Sequence, residues 1–392
     1  MALVAESAAF SVSGSDSECA LYTAETVDEI PSASIRNLSQ PQLTYISCLI
    51  RDGVSHYIDN IPRDVDFGLI VHRNCALPFT VSHRQALAFP ISPKTCYFSY
   101  PLLIEEKGYG RGNAPVARLI LRLLERVVRF DKLIVLNNWF ITNNPSPAFS
   151  AEDLSAFVKT LTARYPKHML IIKSVPETDP TNVISSLRAC GFDLINWRIC
   201  HHWRPSGPQR SKRTKQFRVD RRLLENTHLD TFYAKKMTDA DAAACEKLYQ
   251  SLYIGKHTPM NVRLNRRWFS LTCNSGFLDY FLIADAAKLK AFAISYLDPL
   301  GVNTGFLGYD LKDGRELGLY RMVVISTLLR SISEDKTVNL STGVARFKEL
   351  RGASPYIEYE GLYTKHLSFP ARILTPFFVW AYNRFGDGVR SR

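Results

Sequence analysis

Proton transfer is the chemistry that the side chains of this 392-residue chain most readily suggest. Asp310, Glu358 and His366 are candidate bases, because a carboxylate or imidazole within reach of an ammonium takes its proton. Each also has a plainer reading: Asp310 as a turn carboxylate, Glu358 as a solvated-face residue alternating with Ile357 and Tyr359 on a strand, and His366 as a structural histidine. Tyr320, Tyr359 and Tyr363 offer phenols that double as packing residues. Lys348 and Arg351, three residues apart, share one side of a predicted helical turn and suit an anion. Lys107, Gly110 and Gly112, with Gly108 and Arg111 between, precede a predicted helix at Ala114, where backbone N–H groups can hold phosphate; an ordinary turn explains them as well. The eight cysteines contain no Cys-x-x-Cys pair and no zinc-type spacing, so we expect buried reduced thiols, no cysteine nucleophile and no metal.

The elements that must position these residues follow from periodicity and punctuation. An acidic, flexible tail is expected over residues 1–40, with six acids and no Lys or Arg before Arg36. An α/β module follows over 41–203, its ordered part opening near Leu43 with strand-like apolar residues. Strands are expected at Asp66–Val71, Cys96–Glu105, Lys132–Leu136, His168–Val175 and Asp193–Cys200, and helices at Ala114–Arg129, Ser150–Arg164 and Asn182–Cys190. Between Arg204 and Arg222 lie eight basic residues and one acid, so 204–230 reads as a basic linker. The second module, 231–392, should hold a capped helix at Thr238–Tyr253, strands at Leu278–Ile283, Leu289–Tyr296 and Thr304–Tyr309, a loop at Asp313–Gly318, a helix at Leu319–Ser331, a strand at Val338–Leu340, a turn at Ala345–Leu350 and a last strand at Ile357–Tyr363. Forty-nine Lys and Arg against 37 Asp and Glu give a net charge of +12, which favours anionic partners. The amino terminus does not read as a secretory signal. The apolar stretch Phe369–Tyr382 is interrupted by Pro370, Arg372 and Pro376 and is too short to span a bilayer, so a cytoplasmic protein without a membrane span is expected.

The second module resembles the carboxy-terminal domain of tandem-GNAT acyltransferases, a group related to Fem-type aminoacyltransferases and to GNAT-like acyltransferases of biosynthetic clusters. The residues carrying this are Gly308, Tyr309 and Asp310; Leu317 to Arg321; Ser341 to Gly343; Phe347, Lys348, Arg351 and Gly352; and Glu358, Tyr359, Tyr363, His366 and Leu367. Leu248, Tyr249, Leu252, Tyr253, Lys256 and Asn261 also fit, as does Asp220 to Leu223.

The resemblance implies two tandem GNAT-like α/β domains with mixed sheets, their open edges facing a shared cleft. It implies an N-acyltransferase that moves an acyl group from acyl-CoA or an acyl-carrier thioester to a small amine by direct attack. An aminoacyl-tRNA donor is the alternative, and a non-catalytic binding module a third. Donor contacts are expected from Arg315, Gly318, Tyr320, Lys348 and Arg351 or from Lys107, Gly110 and Gly112, and acceptor contacts from Lys256, Asn261, Tyr309, Ser341 and Tyr359. Tyr320 stands where the family places a small residue against coenzyme A pyrophosphate; Fem-like proteins, with a tRNA donor, share that departure. Fem-like proteins also engage the donor through a lysine in the Lys348 region.

Overall fold

The computed structural model describes residues 19–84, 88–92, 95–99, 132–178, 182–205 and 214–385. In chain order the first half comprises β1 (Ala20–Tyr22), α1 (Gln40–Asp52), β2 (Asp66–His72), β3 (Cys75–Ser82), β4 (Leu133–Leu136), α2 (Ala151–Arg164), β5 (Met169–Pro176), α3 (Val183–Cys190) and β6 (Asp193–Trp203). After α4 (Lys215–Glu225), the second half repeats the series: β7 (Asp230–Ala234), α5 (Asp239–Tyr249), α6 (Arg266–Asn274), β8 (Asp279–Asp285), β9 (Lys288–Asp298), β10 (Gly301–Tyr309), α7 (Leu319–Ser333), β11 (Val338–Asn339), α8 (Ala345–Glu349) and β12 (Ser354–Tyr363), followed by α9 (Phe369–Phe385).

The strands form one twelve-stranded sheet in the order β1-β2-β3-β4-β5-β12-β6-β11-β10-β9-β8-β7. This order is palindromic between the halves. In each, an antiparallel run leads to a parallel pair, β4 with β5 and β10 with β11, joined across a helix, α2 or α7. The last strand of each half then crosses into the other: β12 lies between β5 and β6, and β6 lies between β12 and β11. The mixed α/β class and a tandem repeat of one strand order are thus both present. The expected open edges facing a cleft are not. The exchanged strands satisfy each other's backbone groups and close the central edges.

Local sequence accounts for most elements. Ser39, Ser150 and Thr238 each accept a hydrogen bond from an N3 amide, with Gln42, Asp153 and Asp241 completing capping boxes. Several expectations change. The chain is already paired in the sheet at Ala20, so the tail does not extend to residue 40. The apolar residues at Leu43 belong to a helix, whose face Leu43, Ile46, Leu49 and Ile50 is buried at helical spacing. Thr95–Ser99 is a π-helical turn rather than the start of a strand. The basic stretch becomes helical at Lys215, because burial of Phe217 and Asp220 anchors one face of α4. Residues 100–131, including Lys107, Gly110, Gly112 and the helix expected at Ala114–Arg129, lie outside the described residues. No helix among the described residues is long and apolar enough to cross a membrane.

The largest core lies between α1, α5 and α6 and is shared by the halves. Within it the Tyr45 hydroxyl donates to the Trp139 carbonyl at 2.8 Å and accepts from Trp268 Nε1 at 3.2 Å.

Candidate active site at the second parallel pair

A parallel pair that separates leaves backbone edges and side chains of both strands exposed to a ligand, and the two pairs differ in this respect. In the first half, the loop after β4 fills the separation. Asn137 Nδ2 donates to the carbonyls of Pro145 and Lys173 at 2.8 and 3.1 Å, Trp139 Nε1 donates to Asn137 Oδ1 at 2.7 Å, and Asn144 reaches Ser174 Oγ at 3.2 Å. In the second half, β10 and β11 pair only at Val302–Val338 and Asn303–Asn339. Beyond a bulge between Thr304 and Leu307, β10 continues to Tyr309 against β9 alone. Past Asn339 the other strand turns away through Ser341, Gly343 and Val344, all at positive φ, into α8.

Lys348, in α8 just beyond that turn, is buried, and its Nζ donates back to the turn's carbonyls of Ser341 at 2.9 Å and Thr342 at 2.7 Å. Burial is the main reason its pKa is depressed from 10.5 to about 7. Two N–H groups are therefore committed. The third position on nitrogen is a lone pair when the amine is neutral and a donor when it is charged. Ser341 also accepts from the His201 amide at 3.1 Å. Among the described residues, Ser341 Oγ and both His201 ring nitrogens lack a hydrogen-bond partner, although Nε2 lies 3.7 Å from the Glu349 carboxylate. Burial, followed by the Lys348 charge, lowers the His201 pKa. The thiol of buried Cys200 is pushed up to about 12, chiefly by burial, and is no nucleophile at neutral pH.

A polar chain crosses from the exchanged strands to β10. Glu358 is buried on β12, and its Oε1 accepts from Arg198 Nε at 2.7 Å. Arg198 Nη2 donates to Thr142 O and Asn143 Oδ1, both at 3.0 Å, while Asn143 Nδ2 donates to the carbonyl and hydroxyl of Thr304 at 2.9 and 3.1 Å. Glu358 is thus an ion-paired residue of the interior, not part of a solvated face. The loop of the first half supports the bulge of the second.

Aromatic rings line the separated strands. Tyr320 packs on Tyr309 and Phe347 with centroids 5.9 and 4.8 Å apart, and Tyr253 packs on Phe306 at 5.4 Å and takes a hydrogen bond from the Leu307 amide. Burial raises the pKa of both phenols, that of Tyr253 to about 12. Gly318, at φ 69°, precedes α7, and a Cβ there would meet Leu223 of α4 at 2.7 Å. Amides of the preceding turn are used internally: Leu317 N donates to Asp313 O and Leu319 N to Gly314 O. Arg351 contacts Asp220 at 2.5 Å, Arg321 bonds the same buried carboxylate at 2.6 Å, and the Arg351 guanidinium lies 3.2 Å from the Phe347 ring centroid.

Gly318, Tyr320, Arg351, Tyr309, Lys348 and Ser341 are therefore neighbours around the end of β10 and the turn into α8. Asp310 follows β10 and accepts from the Lys312 amide at 2.9 Å, while Arg315 is exposed on the adjoining turn. Lys256 is exposed, and Asn261 Nδ2 donates to the Tyr253 and Thr258 carbonyls. Tyr359 is half-buried against the core between β5 and α2. His366 Nε2 approaches the His168 carbonyl at 2.8 Å beside the start of β5, whereas Glu358 pairs in register with Pro176 at its end. The three candidate bases Asp310, Glu358 and His366 thus do not converge. Arg198, Asn143 and Tyr253 join the site without having been singled out for a role in it. Arg198 had a signal, as a charge within a strand of largely apolar residues; Asn143 lies in the other half of the sequence and had none.

No family model matches the chain, and no curated protein matches it. Among solved structures it is similar to L-PGS from Bacillus licheniformis, with 13% identity over 58% of this chain and 78% of that one at a TM-score of 0.42. It is similar to FemX, with 10% identity, 59% and 80% coverage and a TM-score of 0.42. A tandem GNAT protein from the clavulanic acid biosynthesis pathway is similar over 88% of this chain and 98% of that one, with 11% identity and a TM-score of 0.38.

Proposed function

We propose that the chain is a GNAT-type N-acyltransferase that passes an acyl group directly from a thioester or ester donor to a small amine at the separation of β10 from β11. The observation that carries this reading is Lys348: a buried amine in α8 with two N–H groups committed to the turn where the parallel strands part, and a pKa depressed to about 7. As a neutral amine it takes the proton that the attacking ammonium must lose. As an ammonium it returns that proton to the leaving sulfur or oxygen when the tetrahedral intermediate collapses. No acyl-enzyme is needed, since the bond to the amine forms at the carbon that loses the leaving group.

Acyl-CoA or an acyl-carrier thioester is the first donor considered, and its pyrophosphate needs free backbone donors at a helix terminus. A specific observation favours the second reading, aminoacyl-tRNA. Leu223 packs against Gly318 at the start of α7, and the Leu317 and Leu319 amides on either side of it are already bonded. The ester at the 3′ end of a tRNA needs no pyrophosphate cradle, and the basic helix α4 beside this terminus suits its backbone.

The test offers acyl-CoA and charged tRNA separately with a panel of amines, with amide product read by mass spectrometry. Product from one donor is expected, falling roughly 10²- to 10⁴-fold in Lys348→Ala at a temperature where that variant is fully folded. Undiminished turnover in that variant would overturn the role of Lys348, and no amide from either donor would overturn the activity.

A further inference from the structure

His201 lies on β6, the strand that the first half sends into the second, and its ring reaches α8, where Nε2 is 3.7 Å from the Glu349 carboxylate. The residue is 2% exposed, and neither ring nitrogen has a hydrogen-bond partner. A buried imidazole is ordinarily held by at least one hydrogen bond, so packing does not account for this one. The Ser341 carbonyl ties it to the lysine of the site: that oxygen accepts from the His201 amide at 3.1 Å and from Lys348 Nζ at 2.9 Å. Lys348 and Glu349 are consecutive in α8, the first buried and the second with 42% of its side chain exposed. The charged and titratable groups bearing on the ring are Lys348 and Glu349 from α8 and His202 from β6, the last stacked on Tyr356. Burial and the Lys348 charge hold the imidazole neutral at neutral pH.

We propose that His201 carries protons from Lys348 to Glu349 and so to solvent, acting through the lysine without touching substrate. The proposal rests on the acyl-transfer reading of this site, and the balance of that reaction requires an outlet. An attacking ammonium brings three N–H protons: one stays on the amide, one leaves with the thiol or alcohol, and one passes to solvent. Lys348 returns one proton to the leaving group and takes the other from the nitrogen of the tetrahedral intermediate, so it ends each turnover as an ammonium that must be discharged. Solvent does not reach it directly, because Lys348 is 4% exposed and two of its N–H bonds are held by carbonyls. Of the other groups beside it, Arg198 is a cation, and the Cys200 thiol, its pKa pushed up to about 12, keeps its proton. The neutral imidazole is the acceptor that remains among the described residues. One ring nitrogen takes a proton from Lys348 as the other releases one to Glu349, whose exposed side chain closes the 3.7 Å by changing rotamer.

The experiment compares the first turnover with steady-state amide formation by the full chain, using the donor that supports turnover. In His201→Gln, which keeps a similar volume but cannot relay a proton, the first equivalent of amide is expected at the wild-type rate, followed by a steady rate at least about tenfold lower. Added imidazole should restore that steady rate and leave the wild type unchanged. Glu349→Gln, a change to an exposed side chain, should give the same burst with a smaller loss, and it keeps the test open if His201→Gln does not fold. Lys348→Ala, by contrast, should lose the first turnover itself, which separates failure of the outlet from failure of the base. A first turnover slowed as much as the steady rate in His201→Gln, with no rescue by imidazole, would assign the ring to structure or to substrate and overturn the relay. So would a wild-type steady rate in either His201→Gln or Glu349→Gln. No amide from the wild type with any donor would overturn the acyl-transfer reading and the relay together.

Discussion

Burying a lysine costs free energy whenever it is charged, and Lys348 meets that cost by giving up its proton near neutrality. Stability should record this. The folded pKa, about 7, lies below the usual value of 10.5, so between these limits the unfolded chain binds more protons. Folding stability must then rise with pH across that window, and the penalty of the charged form is fully present below pH 7. Lys348→Met should remove this contribution, raising the melting temperature most at pH 6 and flattening the slope from pH 7 to 9. A series of thermal melts checks it; parallel profiles for the two proteins would show that the lysine is charged throughout. Nearby charges are arranged differently. Asp220 holds Arg321 and Arg351 together, leaving one net positive charge near Tyr320, while Arg198 and Glu358 neutralise each other.

The elements around the site depend on one another across the repeat. Strand β6 completes the sheet between β12 and β11, and β12 completes it between β5 and β6, so each half leaves a slot that only the other half's last strand fills. Buried strand edges without partners are costly, because every N–H and C=O on them needs a hydrogen bond. Separately produced segments 1–205 and 214–392 are therefore expected to lack a cooperative unfolding transition, and co-expressed segments to copurify as a folded complex. Cooperative unfolding of either segment alone, with the melting temperature of the whole, would contradict this account of the exchange. Sequence patterning reached the elements but not the exchange. The capping box at Ser150, the left-handed Gly191 that ends α3, and the strands of the second half are local signals and are legible as such. Pairing partners are set by edges more than a hundred residues apart. The apolar residues from Leu43 onward are dense enough to resemble a strand until their helical spacing is counted, and α6, with Trp268 and Phe269 in the core, lacks an apolar run to announce it.

At the scale of the whole molecule, the two copies of one topology differ at their parallel pairs. The first half closes its parallel pair with Asn137, Trp139 and Asn144 and sends Asn143 across to brace Thr304; the second half keeps its pair apart. The residues clustered by the second pair, from Tyr309 through Gly318 and Tyr320 to Lys348 and Arg351, were legible because they lie close along one stretch of sequence. Arg198 and Asn143 were not, since their roles arise only where β6 enters the other half. Glu358 carried the right signal of a carboxylate on a strand, but its partner Arg198, 160 residues away in sequence, is what ties it into the interior. On this account one half is scaffold and the other is site, and the chemistry turns on a single nitrogen. The pH dependence of kcat/KM tests that most directly, measured with the donor that supports turnover and with Lys348→Ala beside the wild type. The account predicts a limb that rises with pH through about 7 in the wild type and is absent from a much slower variant, because the proton acceptor is the neutral amine. A limb at the same pH in Lys348→Ala would contradict it and assign the proton transfer to another group.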